Sequence, residues 1–113
     1  MRIESIDPPR SFRAGNVELR DCARITLDAD EQVTFVTDQG GEHDVTRKSW
    51  GFYATSSTNG RLAGFGLRAA LLVNPEGRVF VVLVERGRED DFEAYRVAEG
   101  LEVTRWLDGS ASG

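Results

Sequence analysis

The chain has 113 residues, 40% of them hydrophobic, with 12 glycines, one cysteine and a net charge of −5. That length fits a single domain with a core of its own, which needs neither disulfides nor metals to fold. The acidic balance excludes a generic nucleic-acid binder, which displaces counterions with a basic surface. The lone Cys22 excludes an internal disulfide and fits a reducing cytosol.

Residues 1–14 lack the apolar core of a signal peptide. Pro8-Pro9 argues against regular structure there, so the stretch reads as a loosely docked arm in which Ile3, Ile6 and Phe12 can pack. Ala23, Ile25 and Leu27 then alternate with Arg24, Thr26 and Asp28, as on a half-buried strand. Asp28 to Glu31 reads as a turn and Gln32 to Thr37 as the returning strand, so 23–37 is expected to be a hairpin. Asp38-Gln39-Gly40-Gly41 is the next turn. Residues 42–47 and 49–55 read as one extended strand, bulged near Lys48, with Trp50, Phe52 and Ala54 on one face and Gly51, Tyr53 and Thr55 on the other.

Asn74-Pro75-Glu76-Gly77 is the sharpest local signal. Pro75 presets a type I turn and Gly77 accepts the left-handed position that closes a bulged hairpin. Its flanks, 67–73 and 78–85, are nearly continuous apolar runs and are expected to be central strands covered on both faces. The run Val79 to Val84 is far too short to span a bilayer. Residues 88–99 predict a helix of about three turns, acidic at its positive end and closed by Gly100. In the last strand Leu101, Val103 and Leu107 would point one way, with Glu102, Thr104 and Trp106 pointing the other. Residues 109–113 read as a frayed tail. The sum is one α+β domain over 1–113: a mainly antiparallel sheet of six or seven strands, curled or barrel-like, with one helix in the C-terminal half.

Chemistry is sparse. One histidine and one cysteine cannot build a four-ligand zinc site. Asp28-Ala29-Asp30-Glu31 lacks the glycine and distal glutamate of a calcium loop, so no metal and no cofactor is expected. Cys22 follows Asp21, which disfavours a thiolate, and reads as a small packing residue. His43 and Asp44 are neighbours on a strand and face opposite sides, so neither orients the other. Gly60 to Gly66 does not sit between a strand and a helix as a dinucleotide fingerprint requires.

One segment, TRKSWGFYATSSTNGRL over 46–62, gathers aromatics, small polar groups and cations. It reads either as a core strand followed by an ordinary loop or as a binding surface. As a binding surface, Tyr53 supplies a rigid ring and Asn59 adaptable hydrogen bonding. Arg47, Lys48 and Arg61 supply positive charge for a carboxylate or phosphate. The stretch carrying Asp44-Val45, Arg47-Lys48, Trp50-Gly51-Phe52-Tyr53-Ala54-Thr55, Asn59-Gly60-Arg61-Leu62 and Phe65-Gly66 resembles a pattern in small uncharacterised bacterial proteins. Their genes sit with surface-polysaccharide or acidic-sugar biosynthesis genes. The resemblance spans roughly residues 41–108 and departs at Ser56, where those proteins have proline. It implies a polysaccharide-pathway context and supplies neither a reaction nor catalytic residues.

The leading expectation is therefore a cytoplasmic, non-enzymatic accessory protein that binds a sugar, a nucleotide sugar or a biosynthetic enzyme. The alternatives are a small enzyme on a nucleotide-activated sugar, with His43 or Tyr53 as acid/base, and a structural module that adds a strand to a protein partner. No membrane and no nucleic acid is expected as a partner. A homodimer is, because outer strands need cover and Trp106 would face outward.

Overall fold

The computed structural model describes residues 1–109, so the expected frayed tail lies outside the described residues from position 110 onward. Two long strands come first: β1 (Arg2–Ala14) and β2 (Val17–Thr26) pair antiparallel into a two-stranded ribbon. Extended backbone suits the fixed φ of Pro8 and Pro9, and the pairing register shifts between Ser5 and Arg10, where their missing N–H groups would break the ladder. The stretch expected as a loose arm is thus a strand. It packs extensively only against β2. Cys22, expected inside, is exposed on that ribbon.

The hairpin expected over 23–37 does not form, because β2 takes β1 as its partner. Asp30, at φ 67°, turns the chain elsewhere: its N–H bonds Arg47 O at 2.7 Å, and Arg47 N–H bonds Glu31 O at 2.9 Å. The next strand, β3 (Gln32–Val36), therefore pairs with β4 (Glu42–Lys48) through the expected 38–41 turn. The single strand expected over 42–55 is also broken. The chain reverses at Ser49-Trp50, and Lys48 faces Gly51 at the start of β5 (Gly51–Tyr53). Gly51 has φ 150°, which a side chain would resist. Trp50 stands at the tip of this hairpin, 67% exposed, and Phe52 is exposed as well, so neither is a core residue.

The third sheet holds the core. After the one-turn helix α1 (Arg61–Gly64) come β6 (Leu67–Val73), β7 (Val79–Glu85), the helix α2 (Glu89–Ala98) and β8 (Glu102–Trp106), with strand order β7-β6-β8. The Asn74–Gly77 turn closes β6 onto β7 as predicted: Gly77 takes φ 82° and its N–H bonds Asn74 O at 2.9 Å. On one face of β6, Ala70 and Leu72 pack with Val84 and Trp106, under Phe92 of α2. On the other, Leu67 and Ala69 pack with Leu62 of α1. Enclosing Leu62 and Leu72 completely contributes about 2 kcal/mol each. Only β6 is central, however. Edge strand β7 leaves Val79, Phe80 and Val81 exposed, where two covered faces were expected.

Trp106 also departs from its expected outward position. Leu71 pairs with Arg105 but Leu72 pairs with Val103, so Thr104 is an extra residue in β8. That bulge reverses the alternation and brings Trp106 to the same side as Leu101 and Val103, 7% exposed. Its inward position removes the reason for expecting a dimer through its ring.

Every pairing is antiparallel, which places the protein in the α+β class. The described residues form eight strands in three separate sheets with two short helices, and no sheet closes into a barrel. No helix among them is long and apolar enough to cross a membrane. The second and third sheets are joined by loops: Glu42 N–H bonds Phe65 O at 3.2 Å, and the Thr37 hydroxyl donates to the Glu85 carboxylate. Gly41 sits in this joint without space for a side chain. A Cβ there would lie 3.0 Å from Thr37 Oγ1 and 3.3 Å from Leu67 Cδ2.

Candidate functional site

The β3-β4-β5 sheet has two chemically different faces, set by its register. Val33 pairs with Val45 and Arg47 with Phe52, so Val33, Phe35, His43, Val45, Arg47 and Phe52 share one face. Thr34 pairs with Asp44 and Thr46 with Tyr53, so the other face carries Gln32, Thr34, Asp44, Thr46 and Tyr53. On that polar face lies a recess of about 270 Å³, closed at its far side by Thr55, Ser56, Ser57 and Arg61.

Asp44 is the deepest group, only 9% exposed. A buried carboxylate requires hydrogen bonds or a counter-charge. Thr34 Oγ1 donates to Oδ1 at 2.7 Å, a good bond. Oδ2 is served less well, by Ser56 Oγ at 3.5 Å and by Arg61 Nη2 at 3.7 Å. Thr55 lines the same recess, and its Oγ1 is enclosed without a hydrogen-bond partner. The recess therefore has an acceptor with capacity to spare, and an unsatisfied hydroxyl enclosed in its wall. Its rim is aromatic. Tyr53 is exposed and meets the Trp50 ring edge-on, with centroids 5.6 Å apart.

Local structure explains how Arg61 reaches this place. It begins α1, and its backbone N–H is accepted by Ser57 Oγ at 2.9 Å. Its guanidinium lies 5.2 Å from the Phe65 ring centroid and remains largely exposed. The recess thus holds one negative and one positive side chain, with no net charge.

Of the five residues singled out by the sequence, Tyr53 and Arg61 line the recess. Arg47 is on the opposite face, over the Phe52 ring at 5.7 Å, and Lys48 is tied to Asp30 at the strand end. The Asp30 carboxylate holds the Lys48 ammonium above the ordinary lysine value. Asn59 is exposed and outside the lining. His43 faces away too, and its Nε2 donates to Ala54 O at 2.6 Å. Sequence reasoning passed over Asp44, Thr46 and Gln32 as site residues. The available signal was the polar alternation Asp44, Thr46 on β4. Its meaning depended on the β4-β5 reversal.

Compared with known protein families, curated proteins and solved structures, the chain matches none. Its site is therefore read from geometry.

A larger recess, about 370 Å³, lies between α2 and β8. Its charges already serve each other: Arg96 bonds Glu93, which keeps that carboxyl below the usual carboxylate range, and also donates to Leu101 O at 3.2 Å. Among the described residues, no group of three or more His, Cys, Asp or Glu side chains is placed to hold a metal ion.

Proposed function

We propose that this chain is a small binding module that takes a neutral, hydroxyl-rich ligand, such as a sugar ring, in the Asp44 recess. The observation that carries the proposal is the buried Asp44 carboxylate, whose Oδ2 has only long partners, in the same recess as the unpartnered Thr55 hydroxyl. A carboxylate accepts from adjacent hydroxyls, and a threonine hydroxyl both donates and accepts. An exposed tyrosine offers a face to the apolar side of a pyranose. The mutual neutralisation of Asp44 and Arg61 favours a neutral ring over the anionic sugar that the cations Arg47, Lys48 and Arg61 suggest in the sequence. A polysaccharide or activated-sugar pathway is the setting in which the resemblance of residues 41–108 would place such an accessory protein.

The enzyme alternative gains no support from the geometry. Of its two alternative acid/base candidates, His43 stands on the opposite face of the sheet from the recess, and Tyr53 lines it with no base or second acid beside it other than Asp44.

Calorimetry with neutral mono- and disaccharides, sugar acids and nucleotide sugars tests the reading. Binding of a neutral sugar is expected. Asp44→Asn should weaken it tenfold or more, since a hydrogen bond to a charged group is worth roughly 1.5–3 kcal/mol. Tyr53→Ala should weaken it as well. Absence of binding by every compound sinks the proposal, as does unchanged binding in both variants. A preference for the charged sugars, lost in Arg61→Lys, would restore the anion reading.

A further inference from the structure

The chain exposes too much surface for a folded monomer of its size. Its accessible surface is 8005 Å², whereas a monomer of this mass is expected to expose about 6,200 Å². Its radius of gyration is 15.5 Å, against about 13 Å for a compact domain of this length. The surplus is roughly 1,800 Å² per chain, or about 3,600 Å² for two, which falls within the obligate-homodimer range of about 2,000–5,000 Å².

Beside the exposed edge of β7, much of the uncovered apolar surface lies along the ribbon. In β2, Val17, Leu19, Ala23 and Ile25 share a face, and β1 adds Ile3 and Phe12 opposite Ile25 and Leu19; Asp21 shares that face too, between Leu19 and Ala23, and is neutralised there by its cross-strand partner Arg10 at 3.2 Å. The five large residues of this set are between 39% and 59% exposed. At the end of β2, Ile25 and Leu27 meet Val33, Phe35, Val45 and Phe52 around an apolar hollow on the second sheet. The ribbon and the apolar sheet face are thus continuous. The opposite ribbon face carries Glu18, Arg20, Cys22 and Arg24, as a solvated face should. A two-stranded ribbon alone in water is marginal at best, so its apolar side requires a cover.

We infer that the cover is a second copy of this chain, docked through the apolar ribbon face and the adjoining Phe35–Phe52 hollow. Charge favours a copy over an oppositely charged partner. Between Arg2 and Thr26 stand five arginines and four acidic residues, a near balance in a chain of net charge −5. Two such ribbons meet without the repulsion that the rest of the acidic surface would impose. The docking does not depend on what the Asp44 recess binds, since that recess lies on the opposite face of the second sheet.

Multi-angle light scattering on the full chain at micromolar concentrations is expected to give twice the 12.5 kDa chain mass. Leu19→Glu and, separately, Phe35→Glu should halve that mass, while near-ultraviolet circular dichroism keeps the signal of the enclosed Trp106 and so reports an intact body. Cys22 identifies the face. It lies on the charged side, so a maleimide should react with it equally fast in the parent and in the Leu19→Glu variant. A parent of monomer mass overturns the inference and leaves the surface to a different protein. A dimer that survives both substitutions also overturns it. So does a dimer in which Cys22 is protected, because the charged face would then be the buried one.

Discussion

The ribbon and the β7-β6-β8 sheet are both written as apolar alternation, yet they are finished differently. In the sheet, α1 brings Leu62 to one side of β6 and α2 brings Phe92 to the other. Leu72 is fully enclosed, whereas Leu19, of the same residue type on β2, is 41% exposed. Among the described residues no helix follows the ribbon closely enough to cover it: β2 runs into a turn and then into another strand. Burial depends on what the connection after a strand delivers, and only afterwards on the strand's own residues.

The largest expected effect separates these two regions directly. Leu72→Ala should cost roughly 2–5 kcal/mol, because the cavity lies between packed layers. Leu19→Ala should cost far less when chemical denaturation is followed at dilutions that keep chains apart. Equal losses would mean that the ribbon belongs to the same cooperative core, and the distinction would fail.

Next in size is the joint between the second and third sheets. Gly41→Ala places a methyl group 3.0–3.3 Å from Thr37, Glu85 and Leu67, an overpacking worth typically about 1–3 kcal/mol. A lowered melting temperature is expected, and an unchanged one would show that the loops can part to admit it. Gly77→Ala should be milder, about 1 kcal/mol. An added Cβ there meets nothing within 4 Å, so the whole cost is the φ of 82°. A ligand that binds the recess should bind this variant unchanged.

The smallest effect concerns the start of α2. Hydrogen bonds from its own backbone amide, and then from that of Gly87, hold the Glu89 carboxyl below its usual range. A depressed value means that its contribution is complete above the ordinary carboxylate pKa and is lost as pH falls through the lowered one. Thermal melts from neutral to acidic pH should therefore show a shallower acid limb in Glu89→Gln than in the parent. Identical limbs would show that this bond does not contribute to stability.

Much of the third sheet was legible in the sequence because its signals are local. Asn74 to Gly77 determines its own turn, and the acidic start and Gly100 bracket α2 within two residues of the observed ends. What failed required knowledge of distant partners or of one extra residue. The pairing of β2 with β1 depended on accepting two prolines inside a strand. Ser49-Trp50 carried no proline and a glycine only after it, so the reversal there was concealed in a run of good strand formers. Thr104 is unremarkable as a residue, yet as a bulge it moves Trp106 from outside to inside. The site was half legible for the same reason. Tyr53 and Arg61 announced themselves by type, whereas Asp44 became a site residue only when the β4-β5 register placed it beneath them.

Pro8 and Pro9 bear on how this protein behaves when crowded. A ribbon with a free outer edge invites other strands to add along it, one after another, into fibres. The middle of β1 has two consecutive residues with no N–H, so an incoming strand finds no donors there and the ladder cannot be continued. Sideways polymerisation from the ribbon is blocked at its centre. Replacing both prolines with threonine or valine should leave the paired ends of the ribbon in place and open its outer edge to fibril formation.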